Sequence, residues 1–395
     1  MGISMGCKMT YRRNLCTCQL LLRPYTLGMP IKIKITKKET RTMNIALETD
    51  RIRLRTWHME DLQDFYNYAK DPDVGPWAGW EPHGSIEDSR KRLSRWVNNT
   101  DENDIKLAVE NKENGRVIGS IGIEPDGSRP DVKGCRNLGY VLGKDYWGQG
   151  LMTEAVRAAI DYAFRALKLR LLTVNHYTIN QRSRRVIEKS GFTYEGTLRS
   201  GSVIYNGEER DLCCYSMRAW EYWAMRAKEA GFSLELPENT DRIELENMQR
   251  EFIEVDKDVT PFGLDPKDMS FERWLERSIA WRFVVPKPTY AKSTLYILNS
   301  QHTGPTGALD LRHYLTERLL NGGGNIGYGI RPSQRGNGFA PYMLGLGIEK
   351  AKERNVSKVL VCCDDNNPGS AHTIEDCGGE LENLIDGLRR YWITI

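Results

Sequence analysis

The chain contains 395 residues, a length that predicts two or three domains of about 150 residues each. Hydrophobic residues make up 40% and charged residues 28% of the sequence, which is typical of a globular protein and excludes a disordered or collagen-like chain. The longest stretch without Asp, Glu, Lys or Arg, residues 293–309, is interrupted by polar residues and cannot provide the roughly 20 apolar residues of a membrane helix. No membrane partner is therefore expected.

Charge is distributed unevenly along the chain. Residues 1–42 hold nine Lys or Arg and a single acid, so the net charge of +3 conceals a remainder with a net charge of −5. A mildly acidic body lacks the clustered positive charge that nucleic-acid backbones require, which argues against bulk nucleic-acid binding. We expect residues 1–42 to be a basic extension that is disordered or lies before the natural start at Met43, with a functional leader as the alternative.

The nine cysteines do not follow the spacing of a metal site or a disulfide framework. No C-x-x-C pair occurs and the six His are scattered, whereas structural zinc sites use closely spaced Cys and His. The adjacent cysteines at 213–214 and 362–363 fall in apolar runs, where free cysteine acts as a small hydrophobe. We therefore expect no metal and a reducing, cytoplasmic location.

Beyond residue 42, hydrophobic periodicity predicts a regular order of elements. One alternating strand is followed by two stretches with helical spacing and by two strands that turn at residues 113–115. A short strand, a long amphipathic helix and another strand come next, and a hairpin with the turn Asn206-Gly207 closes the segment. The predicted segments before this hairpin are 45–57, 59–70, 85–98, 106–124, 140–142, 151–167 and 171–176.

The same order recurs later in the chain, with matching motifs. Asn-Leu-Gly-Tyr at 137–140 reappears as Asn-Ile-Gly-Tyr at 325–328, and Gly-Gln-Gly at 148–150 reappears as Gly-Asn-Gly at 336–338, both at an offset of 188 residues. A period this long that occurs twice indicates a duplicated domain rather than a solenoid. We expect one domain at 43–218 and another at 241–395, joined by a helix and linker at 219–240.

Each repeat has a glycine-rich loop between a strand and the following helix. Glycines let backbone N–H groups turn towards an anion, and the N-terminus of the helix adds its positive dipole. Such loops form pyrophosphate cradles, although glycines also simply cap helices and turn the chain. The two loops are Trp147-Gly148-Gln149-Gly150-Leu151-Met152 and Arg335-Gly336-Asn337-Gly338-Phe339-Ala340.

The second loop follows the pattern Arg/Gln-x-x-Gly-x-Gly/Ala and resembles the acetyl-CoA loop of the GCN5-related N-acetyltransferase (GNAT) superfamily. The first loop departs from this pattern, with Trp147 at its first position and Met152 at its last. Its Trp-Gly-x-Gly sequence resembles the Rim-type branch, which acetylates the N-termini of ribosomal proteins among other amines. The departure leaves the backbone cradle intact.

A second pair of motifs supports the resemblance. Asn180-x-x-Ser183 and Asn367-x-x-Ser370 resemble the family's segment after the fifth strand, where the Asn and Ser lie near the pantetheine and sulfur of CoA. The alternative is that these residues only cap helices. Both motifs occur in the same order in each copy, which favours the family.

The resemblance implies an α+β (mixed α/β) fold in each copy, with a mixed, largely antiparallel sheet flanked by helices. The strand before the loop is expected to splay from its neighbour, and pantetheine fills the gap. Acetyl-CoA is the implied cosubstrate. It would be bound by the two loops, by Asn180 and Asn367, and by the strands Tyr140-Val141-Leu142 and Tyr328-Gly329-Ile330.

The implied reaction is the direct attack of an amine on the thioester. Ser183 and Ser370 are candidates for protonating the leaving thiolate. An amine with a pKa of about 10.4 must first lose its proton. His176, Asp364 and Glu124 are the candidate bases, with relayed water as the alternative.

The predicted function is therefore an N-acetyltransferase that modifies a primary amine: a protein N-terminus, a peptide or a small amine. The alternative is an acyl-CoA-binding sensor or scaffold in which one or both copies are non-catalytic. The second copy offers different residues near the acceptor, at 262–264 and 312–313, which indicates a different acceptor. A homodimer is compatible with the sequence.

Overall fold

The computed structural model describes residues 10–12, 15–18, 32–38, 43–256, 258–285 and 287–395. The chain divides into two compact units, with the boundary between Met217 and Arg218. Each unit is a mixed sheet flanked by helices, which confirms the predicted α+β fold with two tandem domains.

The first unit contains a sheet of mostly antiparallel strands and four described α-helices. The strands are β1 (Thr10–Arg12), β2 (Leu15–Cys18), β3 (Lys32–Lys38), β4 (Met43–Glu48), β5 (Ile52–Thr56), β6 (Ile105–Asn111), β7 (Val117–Glu124), β8 (Cys135–Leu142), β9 (Leu171–Tyr177), β10 (Thr193–Val203) and β11 (Glu209–Arg218). The helices are α1 (Leu62–Ala69), α2 (Ile86–Val97), α3 (Leu151–Arg165) and α4 (Gln181–Lys189). The sheet order is β1-β2-β3-β4-β5-β6-β7-β8-β9-β11-β10, and β8 pairs with β9 in parallel.

The beginning of this sheet differs from the sequence-based expectation. The single strand predicted over residues 45–57 is a hairpin of β4 and β5, because the chain turns at Thr49, whose backbone N–H donates to Ile52 O (3.0 Å). The described parts of the basic extension form β1, β2 and β3, and β3 pairs antiparallel with β4. The remainder of the expectation for residues 1–42 lies outside the described residues.

The second unit repeats the arrangement on a smaller scale. Its strands are β12 (Phe232–Glu235), β13 (Ser293–Ser300), β14 (Gly304–Arg312), β15 (Ile326–Ile330), β16 (Lys358–Asp364), β17 (Glu380–Ile385) and β18 (Leu388–Thr394), in the order β12-β13-β14-β15-β16-β18-β17. Its helices are α5 (Ala219–Glu229), α6 (Arg242–Val255), α7 (Phe271–Ala280), α8 (Glu317–Asn321), α9 (Ala340–Lys352) and α10 (Pro368–Asp376). Residues 231–240, expected as a linker, include β12, which pairs antiparallel with β13. No helix in the described part of the chain is both long and apolar enough to cross a membrane.

Large apolar side chains hold the first two helices of each repeat to its sheet. In the first unit they include Trp57, Phe65, Tyr68 and Leu93. In the second unit they include Leu245, Met248, Phe252 and Trp274. Burying one such side chain stabilises the fold by about 1.5–3 kcal/mol. The helices thereby fix the segment between them, which lies beside the site described next.

Candidate active site

The site begins where two neighbouring parallel strands separate. β8 pairs with β9 only from Cys135↔Leu171 to Leu138↔Val174, although both strands continue. In the second unit the parallel strands β15 and β16 share a single pair, Ile326↔Val361. Among the described residues, the backbone groups of 139–142 and 327–330 therefore have no strand partner on this side, so an extended ligand can pair with them. This is the splay that the family resemblance implied.

A glycine-rich loop follows the splayed strand in each unit. Gly148 and Gly150 have φ values of 75° and 78°, and Gly336 and Gly338 have values of 79° and 76°. Only glycine adopts this backbone region without strain. A Cβ at Gly148 or Gly336 would meet no atom within 4 Å, so open space lies before α3 and α9. The backbone N–H groups and the helix dipole there suit a pyrophosphate.

The first residue of each loop makes the same contact, although Trp147 departs from the family pattern and Arg335 follows it. Trp147 Nε1 donates to Leu142 O at 2.8 Å, and Arg335 Nε donates to Ile330 O at 3.0 Å. Both side chains thereby tie the first position of the loop to the end of the splayed strand. Sequence comparison missed this equivalence because a tryptophan and an arginine share little beyond an N–H donor.

A second brace supports the loop of the first unit. Arg51 Nη1 donates to Gln149 O at 2.9 Å, and its Nε donates to the Glu154 carboxylate at 2.7 Å. Thr49 Oγ1 also donates to that carboxylate, at 2.6 Å. Burial would raise the pKa of Glu154, but these hydrogen bonds outweigh it and lower the pKa. The β4–β5 turn thus holds the loop, a contact that no local pattern indicated.

A tyrosine and a serine meet across each splay. The hydroxyls of Tyr140 and Ser183 are 2.8 Å apart, and those of Tyr328 and Ser370 are 2.9 Å apart. Burial raises the pKa of both tyrosines well above the usual value, so their hydroxyls stay protonated. The sequence analysis placed both tyrosines on the splayed strand but did not anticipate their hydrogen bonds to the serines.

Asn180 and Asn367 cap the helices that carry these serines. Their Oδ1 atoms accept from the N–H of Ser183 at 3.1 Å and of Ser370 at 3.0 Å. Asn180 Nδ2 also donates to Trp77 O at 3.4 Å, which joins α4 to the segment between α1 and α2. The capping role considered as the alternative is thus present. A contact with the cosubstrate stays a prediction for both residues.

Two candidate bases lie at the splay of the first unit. The Glu124 Oε1 atom is 4.0 Å from where a Cβ of Gly139 would lie, and its carboxylate forms an ion pair with Lys106. His176 is 4% exposed, and both of its ring nitrogens have partners. Nδ1 contacts Tyr177 O at 2.8 Å, and Nε2 contacts Tyr215 Oη at 3.4 Å. Both residues line the same cavity, and the His176 ring contacts protein groups through both of its nitrogens.

One cavity of about 850 Å³ in the first unit brings the predicted residues together. Its lining includes Glu124, Tyr140, Gly148, Gly150, His176, Asn180 and Ser183. It also includes residues that the sequence analysis did not single out: Phe65, His83, Arg92, Trp96, Lys106, Arg182, Arg185 and Lys189. Arg182, Arg185 and Lys189 follow each other at helical spacing on α4. This spacing of positive charges could have identified them from the sequence.

The second unit differs at the position of Glu124. Arg312 takes that place, opposite Asn325, and its Nη2 atom is 2.9 Å from where a Cβ of Gly327 would lie. Asp364 ends β16 as an exposed residue, and its backbone carbonyl accepts from Asn367 N–H at 3.0 Å. Ser370 and Asn367 follow it on α10. The two units thus share the cradle and differ in the charge beside the splay.

The described thiols and acids give no indication of a metal centre. The six cysteines whose side chains are described are free: Cys135, Cys213, Cys214, Cys362, Cys363 and Cys377. No group of three or more His, Cys, Asp or Glu is placed to hold a metal ion in the part of the chain that the structure describes.

A splayed sheet with a glycine-rich loop at a helix N-terminus is the architecture of an acyl-CoA-dependent acyltransferase. The model of the acetyltransferase (GNAT) domain family matches this chain twice, over residues 51–193 and 234–380. The chain belongs to the GNAT acetyltransferase family, and it contains two copies of the domain. Acetyl transfer from acetyl-CoA is the general chemistry of this family.

Two relatives agree with this assignment, and the second of them also agrees with the Rim-type resemblance. The uncharacterized N-acetyltransferase p20 of Bacillus licheniformis is 28% identical over 181 residues, covering 45% of this chain and 98% of that protein. The [ribosomal protein uS5]-alanine N-acetyltransferase of Escherichia coli is 29% identical over 185 residues, covering 42% of this chain and 87% of that enzyme. A solved GCN5-related N-acetyltransferase from Brucella melitensis is 22% identical, with a TM-score of 0.42, covering 55% of this chain and 93% of that one.

Proposed function

We propose that the first unit transfers the acetyl group of acetyl-CoA to a primary amine, by direct attack in a ternary complex. The acceptor is a protein N-terminus, a peptide or a small amine. The observation that carries the proposal is the single cavity that joins the glycine loop, the open edge of β8, Glu124 and Ser183. The E. coli relative, by its name, acetylates an alanine of a ribosomal protein.

The first unit provides three groups of contacts for acetyl-CoA, which supplies an activated acetyl thioester. Backbone N–H groups of residues 148–152 bind the pyrophosphate at the N-terminus of α3. The unpaired edge of Tyr140-Val141-Leu142 pairs with the pantetheine. Arg182, Arg185 and Lys189 on α4 line the same cavity and add positive charge near the phosphates.

Ser183 protonates the leaving thiolate in this proposal. Its hydroxyl is 2.8 Å from that of Tyr140, which can donate to it and so leave the serine proton free for the sulfur. Tyr140 also lies 3.1 Å from Ser183 O, so the pair has a second arrangement in which the tyrosine donates to the backbone. Because burial raises the pKa of Tyr140, the tyrosine keeps its proton and orients the serine.

Glu124 receives the proton of the acceptor ammonium. A protonated amine has no lone pair for attack, and its pKa of about 10.4 keeps it protonated at neutral pH. The carboxylate stands beside Gly139 at the splay, where the attacking nitrogen has to approach. Its ion pair with Lys106 holds the carboxylate at this place, where it can accept the proton directly or through water.

The second unit binds a second acetyl-CoA through residues 328–330 and 335–340, with Ser370 as the proton donor and Asp364 as its candidate base. Because Arg312 replaces the carboxylate, this unit takes a different acceptor. The free state of the described cysteines fits the cytoplasmic location that we propose for the chain.

A screen of acceptors tests the proposal. Amines, peptide N-termini and polyamines are incubated with acetyl-CoA and the full chain, and free thiol is measured. Gly150→Val serves as a control that lacks the first cradle. Tight binding of acetyl-CoA without thiol release for any amine would contradict the proposal and would favour an acyl-CoA-binding module.

A further inference from the structure

One cation of the first unit's cavity has no hydrogen-bond acceptor and no ion-pair partner among the described residues. Arg92 lies on α2 and lines the cavity with Phe65, His83 and Trp96. Its guanidinium stands 6.0 Å from the centroid of the Trp96 ring. Among the described residues it makes no hydrogen bond and no ion pair. A charged group that faces a cavity in this way has its donors free for a ligand.

The position of Arg92 is unfavourable unless an acceptor reaches it. Burial lowers the pKa of Arg92, and the charge of Arg95 lowers it further. A guanidinium has five N–H donors, and half-buried arginines normally satisfy several of them with carboxylates or carbonyls. The structure offers Arg92 an aromatic ring but no oxygen acceptor within the described chain.

The second unit has an arginine at the corresponding position. Ser85 is the N-cap of α2 and Ser270 is the N-cap of α7, and an arginine follows each of them at the seventh position. These arginines are Arg92 and Arg277. Each stands over the ring of a tryptophan that follows four residues later. The two arginines are therefore equivalent by helix position and by stacking partner.

Arg277 shows the structural role that an arginine at this helix position can have. Its Nη2 atom donates to Asp265 O at 2.6 Å and to Gly263 O at 3.3 Å. These carbonyls belong to the segment between α6 and α7, so Arg277 fastens that segment. Arg92 has no such carbonyl contacts, and its donors are left to the cavity. The difference indicates a ligand-binding role for Arg92 rather than a structural one.

Two neutral groups near Arg92 can complete an anion site. Tyr68 is buried, with 5% of the residue exposed, and its hydroxyl lies near the side chain of Ser120, which lines the cavity. Burial raises the pKa of Tyr68, and the charge of Arg92 acts in the opposite direction. Burial and the charge of Arg92 both lower the pKa of His83, which keeps its ring neutral.

We propose that Arg92 binds an anionic group, a carboxylate or a phosphate, on the amine acceptor of the first unit. This inference rests on the proposed function and narrows its acceptors to amines that carry a negative charge. A planar guanidinium forms paired, charge-assisted hydrogen bonds with either oxyanion. Glu124 would then take the proton from the amine end of the acceptor while Arg92 holds the other end.

Matched acceptors test the inference. One series pairs amino acids that have apolar or aromatic side chains with their carboxamides, and a second pair is O-phosphoethanolamine with ethanolamine. We expect a charged member to exceed its neutral partner in kcat/KM by about tenfold or more. Arg92→Gln is expected to lower kcat/KM for the charged member by about 10- to 100-fold and for the neutral one by less than about threefold.

Three comparisons separate an effect on acceptor binding from an effect on folding. Arg95→Gln removes the same charge from an exposed position of α2. It is expected to leave kcat/KM unchanged for both the charged and the neutral acceptor. The affinity of Arg92→Gln for acetyl-CoA, measured by calorimetry, is expected to match that of the wild type. Arg92→Lys keeps the charge but not the paired geometry, and we expect it to recover part of the preference.

The outcomes distinguish this inference from the proposed function. Equal turnover of charged and neutral partners by the wild type, or an equal loss of both in Arg92→Gln, would overturn the role of Arg92. Absence of turnover with every amine would contradict the proposed function instead. Calorimetric titration of the same pairs into the CoA-saturated protein then decides the inference alone: preferential binding of the charged member, lost in Arg92→Gln, supports it, and equal binding overturns it.

Discussion

At the scale of single residues, the contact that recurs most clearly is the pair of hydroxyls across each splay. Tyr140 meets Ser183, and Tyr328 meets Ser370, at almost the same separation. Each serine also lies one turn inside a helix that an asparagine caps. Both units thus share the contact between a tyrosine and a serine, whereas the charged residue beside the splay differs between them.

We predict that Ser183→Ala lowers kcat for the first unit's acceptor by about 10²- to 10⁴-fold, the range typical of general acid–base groups. The affinity for acetyl-CoA should stay nearly unchanged, because the hydroxyl acts on the leaving thiolate in the transition state. Steady-state kinetics and calorimetry on the same variant measure both quantities. Normal turnover with a reactive amine would show that the serine is only part of the helix cap.

Asn180→Ala provides the matched comparison. Loss of the cap should lower the free energy of unfolding by about 1 kcal/mol, and the missing amide should weaken acetyl-CoA binding. Chemical denaturation and calorimetry measure the two effects. A stability change without a change in acetyl-CoA affinity would restrict Asn180 to the capping role.

The stability of the second unit is expected to depend on pH through His313. Burial is the main cause that lowers its pKa to about 4, from a usual value of about 6.5. Between these values the unfolded chain binds more protons than the folded one, so stability is greatest above pH of about 6.5 and falls as the pH drops towards 4. Thermal unfolding at several pH values should show a weaker dependence in His313→Gln.

The exposed His372 of the same unit supplies the control. His372→Gln should keep the pH dependence of the wild type. If His313→Gln and the wild type lost stability in parallel between about pH 6.5 and 4, the imidazole would not be the group responsible.

At the scale of elements, the loop that precedes α3 depends on contacts that its sequence does not reveal. Its glycines were predictable because a positive φ leaves few alternatives to glycine. The contact between Arg51 and Glu154 could not be predicted, because more than 100 residues separate the two partners in the sequence. The same limit explains why β12 was taken for a linker: a short strand gains its character from the neighbour β13.

The anchor at the first loop position gives a prediction of its own. Trp147→Phe removes the N–H that reaches Leu142 O, and we expect the dissociation constant of acetyl-CoA at the first unit to rise by about three- to tenfold, the value of one hydrogen bond. Trp147→Arg introduces the residue found at the same place in the second loop and should retain most of the affinity. Calorimetry on both variants measures the difference. Equal losses in both would show that the ring, not the N–H, is what the loop needs.

The cradle itself is expected to tolerate no side chain at its second glycine. Gly150 has a φ of 78°, and a Cβ there would lie 3.5 Å from Arg51 Nη2, so Gly150→Val strains the backbone and crowds the brace. Acetyl-CoA binding to the first unit should be lost while the second unit binds normally. Gly338→Val should have the opposite effect. Retained binding at the altered unit would mean that the loop is not the anion site.

At the scale of the whole molecule, the order of elements and the duplication were readable from the sequence because both rest on local periodicity and on motifs repeated at one offset. The difference between the acceptor sites of the two units could be predicted from the sequence only in part. The sequence placed Arg312 near the second acceptor site, but the structure was needed to show that it occupies the position of Glu124. Charge at a site depends on which side chains the fold brings together, and that information is spread over distant segments.

The number of acetyl-CoA molecules bound per chain is the measurement that tests this account most directly. Both units have an open strand edge, two glycines at positive φ and a helix N-terminus behind them. Calorimetric titration of the full chain is therefore expected to give two sites, reduced to one in Gly150→Val and one in Gly338→Val. A single site in the wild type, or two sites in either variant, would contradict it.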